Sequence, residues 1–98
     1  MSFDHFLEYY DDDAGQKEQV GLVIYYLETE QEKDEATQAD VKEVIQRSRS
    51  SISSSSISTY FSRLRASDWI TDTENEGYRL TYLGEEEVET RLDDEALN

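Results

Sequence analysis

The stretch VGLVIYYL, residues 20–27, constrains the fold more than any other part of the sequence, because it is apolar on several sides of a helix. Its aliphatic residues recur at helical spacing: Val20, Val23, Ile24 and Leu27. Leu22, Tyr25 and Tyr26 extend the apolar surface onto other faces. Since such a helix must be covered on most sides, the sequence predicts a central helix, packed on one side by the N-terminal segment or by a second subunit.

Two flanking segments each have one apolar face of helical period, and each follows a residue that can cap a helix, Ser2 or Thr37. The first face consists of Phe3, Phe6, Leu7 and Tyr10, and the second of Val41, Val44 and Ile45. The sequence therefore predicts a short helix on either side of the central one. The break DDDAG, residues 11–15, ends the first of them.

The serine-rich stretch SRSSISSSSIS, residues 48–58, has the composition of a disordered linker, yet it leads into an ordered pattern. A helical stripe begins inside it: Ile57, Tyr60, Phe61 and Leu64. With Ser53 as the N-cap, Ile52 and Ile57 occupy the two positions that pack together in a hydrophobic staple. The sequence thus predicts a turn followed by a helix over about residues 54–67.

The pattern changes from helical to extended after residue 67. WITDT and YRLTYL are rich in aromatic and β-branched residues, and ENEG between them supplies the Asn and Gly of a tight turn, which predicts a β-hairpin. EEEVETRL then has Val88 and Leu92 four residues apart, and predicts a short final helix with an acidic first turn. The predicted fold class is mainly α with a β-hairpin (α+β).

Residues 36–92 resemble the winged helix-turn-helix DNA-binding domains of MarR-like and PadR-like regulators. The resemblance is carried by SISTYFSRLRASDWI, which is similar to a recognition helix running into the first wing strand, and by GYRLTYLGEEEVE, which is similar to the second strand and the next helix. It implies a winged helix-turn-helix with an additional N-terminal helix. Residues 1–15 would then form the N-terminal helix and an acidic linker, 16–92 the domain, and 93–98 an acidic tail.

The charge balance is strongly acidic, with 24 acidic and 9 basic residues and a net charge of −15. Only three of the bases are lysine. This balance resembles that of salt-in halophilic archaea, in which the net charge reflects the solvent rather than the binding partner. The alternative is a mimic of nucleic acid or a protein that binds basic proteins.

A basic island, residues 41–67, interrupts this acidity with a net charge of +4, whereas the rest of the chain carries −19. Arginines bind phosphates and guanine edges, and small hydroxyl residues allow a helix to approach the major groove. The predicted DNA-contacting residues are Arg47, Arg49, Ser54, Ser55, Ser56, Ser58, Thr59, Ser62, Arg63 and Arg65. Residues 54–56 would form a phosphate-facing first turn, and Ser58 a groove-side contact.

The predicted hairpin tip is acidic, with Asp72, Glu74 and Glu76, and these side chains would be repelled by a DNA groove. The sequence therefore predicts a wing that stays off the DNA, or lies along it only in high salt. Arg79 has two interpretations: a wing contact with the DNA backbone, or a pair with Glu74 or Glu76 across the hairpin.

Enzymatic and metal-binding functions have no support in the sequence. There is no cysteine, His5 is the only histidine, and DDD and EEE lack the spacing of a calcium loop. We expect no enzyme activity, no metal and no cofactor. The N-terminus has no basic region typical of a signal peptide and no apolar run is long enough for a membrane helix, so we expect a cytoplasmic protein.

The expected function is sequence-specific binding of double-stranded DNA by a transcriptional regulator. The aromatic residues of the first two helices predict core or dimer contacts, and therefore a homodimer through these helices: Phe3, Phe6, Tyr9, Tyr10, Tyr25 and Tyr26. The alternative is a winged-helix protein–protein interaction module that does not bind DNA.

Overall fold

A computed structural model describes residues 2–97 of the chain, which form five α-helices, one antiparallel hairpin and two short 3-10 helices. The α-helices are α1 (Phe3–Glu8), α2 (Gln16–Thr29), α3 (Gln38–Gln46), α4 (Ile57–Ala66) and α5 (Tyr82–Arg91). The strands are β1 (Ile70–Asp72) and β2 (Tyr78–Leu80), and the 3-10 helices are Ser54–Ser56 and Asp94–Leu97. The predicted α+β class, mostly helical with one hairpin, is confirmed.

Helix α2 lies at the centre of the structure, as predicted from its apolar surface. Every residue from 20 to 27 is buried, and α1, α3, α4, α5 and β2 all pack against this helix. Of the two predicted ways to cover one side of this helix, the N-terminal segment or a second subunit, the structure has the first: α1 covers it. The ring of Tyr26 meets those of Phe3 and Phe6 edge-on, with centroids 5.8 and 5.7 Å apart.

The predicted caps of α1 and α3 are both present. The Ser2 hydroxyl accepts a hydrogen bond from the His5 amide at 3.4 Å. Thr37 and Asp40 form a reciprocal capping box, in which each side chain accepts from the backbone amide of the other. Burial opposes ionisation of Asp40, but hydrogen bonds from the Thr37 amide and the Lys33 ammonium together lower its pKa.

The hairpin is shorter than the sequence predicts. Ile70 pairs with Leu80 and Asp72 with Tyr78, and the predicted second strand stops there. Thr81 caps α5 instead, because its hydroxyl accepts from the Gly84 amide at 3.0 Å. Helix α5 therefore begins three residues before the predicted EEE start, and Leu92 is buried just beyond the end of that helix in an extended conformation.

The outer edge of β2 is covered rather than open to solvent. Ala36, just before α3, exchanges two backbone hydrogen bonds with Tyr78 at 2.7 and 2.8 Å. Farther along the same strand, the Leu80 amide donates to the Glu28 carboxylate at 2.8 Å. Helix α2 thereby satisfies a strand donor that would otherwise have no partner in the sheet.

The two ends of the chain meet on α2. Tyr10 and Leu92 form an isolated antiparallel bridge, and the Asp93 amide donates to the Tyr9 carbonyl at 2.9 Å. Ala96, within the stretch predicted as an acidic tail, is fully buried. None of the helices found in residues 2–97 has the length and apolar character needed to cross a membrane.

Trp69, the residue before β1, packs against both α2 and α5. A methyl group at Gly21 of α2 would lie 3.0 Å from its ring, and a methyl group at Gly84 of α5 would collide with its backbone carbonyl. The Lys17 ammonium and the Arg91 guanidinium lie 5.0 and 5.4 Å from the ring centroid, within cation–π range. Both glycines are therefore needed for close packing around this residue.

Gly84→Ala is expected to lower the free energy of unfolding by about 1–3 kcal/mol, because the added methyl group forces α5 away from the Trp69 carbonyl. Urea unfolding followed by Trp69 fluorescence measures this loss. The matched control is Gly15→Ala, whose methyl group would meet only the Glu18 carboxylate at ordinary contact distance. Equal effects of the two substitutions would contradict the packing account.

Glu28→Gln is expected to stabilise the protein at neutral pH. Burial raises the pKa of Glu28, with the Leu80 hydrogen bond opposing the shift. The stability contributed by its protonated form is therefore complete below the ordinary value of 4.5 and is lost as the pH rises through the native pKa. Glutamine keeps an acceptor for Leu80 without the half-buried charge.

The measurement is thermal or urea unfolding of the wild type and of Glu28→Gln from acid to neutral pH. The difference should be small at the acid end and grow as the pH rises. Glu30→Gln, at an exposed position, controls for the general relief of repulsion in an acidic chain. A gain that is the same for both variants would argue against a specific cost of the partial burial of the Glu28 charge.

Candidate nucleic-acid interface

The first half of the serine-rich stretch is an ordered turn held by its own hydroxyl groups. The Ser48 hydroxyl donates to the Ile45 carbonyl at 2.8 Å and accepts from the Ser50 amide at 3.1 Å. The Ser50 hydroxyl in turn accepts from the Ile52 amide at 3.3 Å. Serine side chains therefore replace the missing helical hydrogen bonds after α3, and the turn leads Ile52 into the core.

The helix that follows starts as predicted at Ser53, but its first turn has a different geometry. The Ser53 hydroxyl accepts from the Ser55 amide at 3.3 Å, and Ile52 and Ile57 are both buried, as a hydrophobic staple requires. The Ser56 amide donates to the Ser53 carbonyl, three residues back, at 3.0 Å. Ser54–Ser56 is therefore a 3-10 turn, and regular α-helix begins only at Ile57.

The end of α4 is set by a residue in the left-handed region. Asp68 has φ +62°, and its amide donates to the Arg65 carbonyl at 3.0 Å. The Trp69 amide donates to the Leu64 carbonyl at 2.9 Å, which completes a Schellman motif. This tight ending turns the chain directly from α4 into β1.

The predicted apolar stripe faces inward. Ile57, Phe61 and Leu64 are buried, and the ring of Phe61 lies 4.6 Å from that of Tyr78 in β2. Tyr60 is half-buried, and its hydroxyl donates to the Gln16 side chain at 2.5 Å. Helix α4 is thus fixed against α2 and the hairpin, with its opposite side free.

Most of the predicted hydroxyl residues lie together on that free side. The exposed residues of the 3-10 turn and α4 are Ser55, Ser58, Thr59, Ser62, Arg63, Arg65 and Ala66. We call this surface the α4 face; α4 itself contains no acidic residue. Ser54 and Ser56 are half-buried, and the Ser54 hydroxyl accepts from Gln46 at 3.4 Å, so these two are less available than the sequence predicts.

The arginines around the α4 face differ in their partners. Arg47 pairs with Glu43 at 3.0 Å, and Arg65 pairs with Asp72 of β1 at 3.1 Å, in both cases with exposed side chains. Arg63 lies over the ring of Tyr60, 5.6 Å from its centroid. Within residues 2–97, neither Arg63 nor Arg49 forms an ion pair. These two guanidinium groups are therefore the more available ones.

Acidic residues lie at the borders of this basic surface. The Arg49 amide donates to the Asp4 carboxylate at 2.9 Å, which ties the turn to α1. Arg79 is exposed on β2 and forms no ion pair with any carboxylate in the described part of the chain. The ion pair of Arg65 with Asp72 could not be predicted from the sequence, because it depends on how the chain turns from α4 into the hairpin.

No cluster of three or more histidine or carboxylate side chains suited to a metal ion occurs among residues 2–97. Comparison of the chain with protein-family models, with curated proteins and with solved structures finds no match. The interpretation of the α4 face therefore rests on its own geometry and chemistry.

Ser53→Ala is expected to lower the free energy of unfolding by about 0.5–2 kcal/mol, because it removes the acceptor for the Ser55 amide of the 3-10 turn. Ser51→Ala is the matched control. Its side chain is exposed and makes no hydrogen bond within residues 2–97, so the change should be close to neutral. Urea unfolding of both variants tests the distinction, and equal effects would contradict a capping role for Ser53.

Proposed function

We propose that this protein binds double-stranded DNA through the α4 face and acts as a transcriptional regulator. The observation that carries the proposal is the exposed side of α4, which combines small hydroxyl residues, no carboxylate of its own and available arginines on a rigid helix. This is the chemistry that major-groove recognition requires, since small side chains permit close approach and arginine can bind phosphate or guanine.

The order of the elements supports a winged helix-turn-helix with α1 added in front. Helices α2, α3 and α4 are followed at once by the β1–β2 hairpin, and the ordered turn between α3 and α4 orients the second helix of the pair. In this arrangement α4 is the recognition helix and the hairpin is the wing.

The four arginines contribute unequally in this proposal. Arg49 and Arg63 can bind phosphates without breaking an ion pair. Arg47 and Arg65 must first break their ion pairs with Glu43 and Asp72, respectively. Exposed ion pairs contribute only about 0–1 kcal/mol, so a DNA phosphate can compete for both. The paired arginines then add less net affinity than the free ones.

The hairpin makes little or no contact with DNA in the proposed complex. Glu74 and Glu76 are exposed at its tip, and a narrow groove lined by phosphates would repel them. Arg79, exposed on β2, is the one hairpin residue suited to a backbone contact. The composition supports a working environment of high salt in the cytoplasm of a halophilic archaeon, in which these repulsions are screened.

Arg63→Glu is expected to weaken binding to duplexes of every sequence and to reduce the slope of log affinity against log salt by about 1, because one phosphate contact is lost. Arg65→Glu should have a smaller effect, since the Arg65 guanidinium already forms an ion pair with Asp72. Fluorescence anisotropy of a labelled duplex, titrated across a potassium chloride series, measures both quantities.

Two further variants complete this experiment. Lys33→Glu makes the same change of charge in the connector before α3. It breaks the partly exposed ion pair with Asp40, but it should leave the affinity nearly unchanged in a variant that thermal unfolding shows to be folded. Arg79→Glu tests the contact from the hairpin. Equal affinity of the wild type, Arg63→Glu and Arg65→Glu at every salt concentration would remove the proposal.

The acidic hairpin favours one alternative, a winged-helix module that contacts protein and not DNA. Recovery of a protein partner together with the absence of duplex binding at any salt concentration would select it. We also propose a homodimer, as a two-fold DNA site requires. Phe3, Phe6, Tyr10, Tyr25 and Tyr26 are buried within the single chain, so a dimer through α1 and α2 would use other side chains of these helices.

A further inference from the structure

An exposed apolar pair lies at the start of α5, away from the residues assigned to DNA binding. Tyr82 is 77% exposed and Leu83 43% exposed, and no other large apolar side chain is exposed among residues 2–96. Single exposed apolar residues are ordinary on protein surfaces. Two neighbours require a specific explanation where the other large apolar side chains of residues 2–96 are at least partly buried.

The fold does not need apolar residues at these two positions. Thr81 already caps α5, through its hydrogen bond with the Gly84 amide, and the helix is anchored by the buried residues Gly84 and Val88. The first turn of a helix favours acidic and small polar side chains. Tyrosine and leucine therefore contribute little there to the folded state.

Carboxylates continue the same surface along α5. Glu85, Glu86 and Glu89 are exposed and follow Tyr82 at i+3, i+4 and i+7, which places all four residues on one helical face. We call this surface, together with Leu83, the α5 face. Interaction with Glu86 raises the pKa of Tyr82, and the charges of Glu89 and Glu85 add to the shift. The negative charges are therefore close enough to the phenol to act on it.

Among residues 2–97, no lysine or arginine pairs with these three carboxylates. In residues 2–97 the one ion pair of α5 joins Arg91 to Glu87. Glu89 instead accepts a hydrogen bond from the Tyr25 hydroxyl at 3.0 Å. These carboxylates are therefore available to the cationic side chains of a partner.

We propose that the α5 face binds a basic protein surface, in which an apolar side chain packs on Leu83 and Tyr82 and flanking lysines or arginines meet the three glutamates. An exposed tyrosine ring also offers a cation–π contact to such a side chain. A second copy of this chain is the weaker candidate, because a two-fold contact would place the same glutamates against each other.

The test uses two labelled synthetic peptides: an amphipathic helix of lysine and leucine, and a companion in which serine replaces every leucine. The full-length protein should bind the lysine–leucine peptide more tightly than the companion. The double variant Tyr82→Ser, Leu83→Ser should bind the lysine–leucine peptide at least about ten-fold more weakly, with a much smaller loss for the companion. Trp69 fluorescence and thermal unfolding verify that the variant is folded.

A second variant, Glu85→Gln with Glu86→Gln, keeps the apolar pair and should bind both peptides more weakly. Unchanged binding of the lysine–leucine peptide by either double variant would overturn the proposal. Sedimentation of the protein alone gives a further outcome: a dimer abolished by Tyr82→Ser, Leu83→Ser would show that the face serves a second copy instead. Neither result depends on whether the α4 face binds DNA.

Discussion

The contact of Trp69 with two glycines is the constraint on which the arrangement of the other elements depends. Its ring lies on Gly21 of α2, and its backbone carbonyl approaches Gly84 of α5 too closely for a side chain there. Its amide also completes the end of α4, by donating to Leu64, and β1 begins at the next residue. One residue therefore fixes α4, the hairpin and α5 relative to the central helix, and so determines which side of α4 is left free.

The serine-rich turn performs the corresponding task at the other end of α4. Its hydroxyl groups satisfy backbone amides in succession, from Ser48 through Ser50 to the Ser53 cap. The serines that hold the turn are thus distinct from the serines exposed on the α4 face, such as Ser58 and Ser62. The composition of the stretch serves two purposes, one for the fold and one for the surface.

The sequence predicts features that depend on local periodicity and capping, and misses those that depend on long-range contacts. The central helix, the stripe that ends at Leu64, and the caps Ser2, Thr37 and Ser53 are all confirmed. Thr81 is wrongly predicted as strand, because a β-branched residue followed by Tyr and Leu has the same pattern in a strand as at a helix start.

The contacts that the sequence misses all join segments far apart in the chain. The pairing of Ala36 with Tyr78 and the burial of Ala96 have no local signal. The candidate site divides in the same way. The exposure of the α4 face can be predicted from the sequence, because the apolar stripe occupies the opposite side of the helix. The pairing of Arg65 with Asp72 follows only from the turn between α4 and the hairpin.

The two charged surfaces differ in sign although both belong to helices packed on α2. The α4 face is free of acidic residues from its own helix, whereas the α5 face carries three glutamates beside its apolar pair. A net charge of −15 conceals this division. We interpret it as a separation of partners, with phosphate at one surface and basic protein at the other.

The most direct test of this account is to follow the backbone amide resonances of the isotope-labelled protein while a DNA duplex is added at a salt concentration that permits binding. The account predicts that the perturbed amides lie in the turn before α4 and in residues 54–66, with the hairpin tip and the exposed side of α5 unaffected. Perturbation confined to other surfaces, or none at any salt concentration, would contradict it.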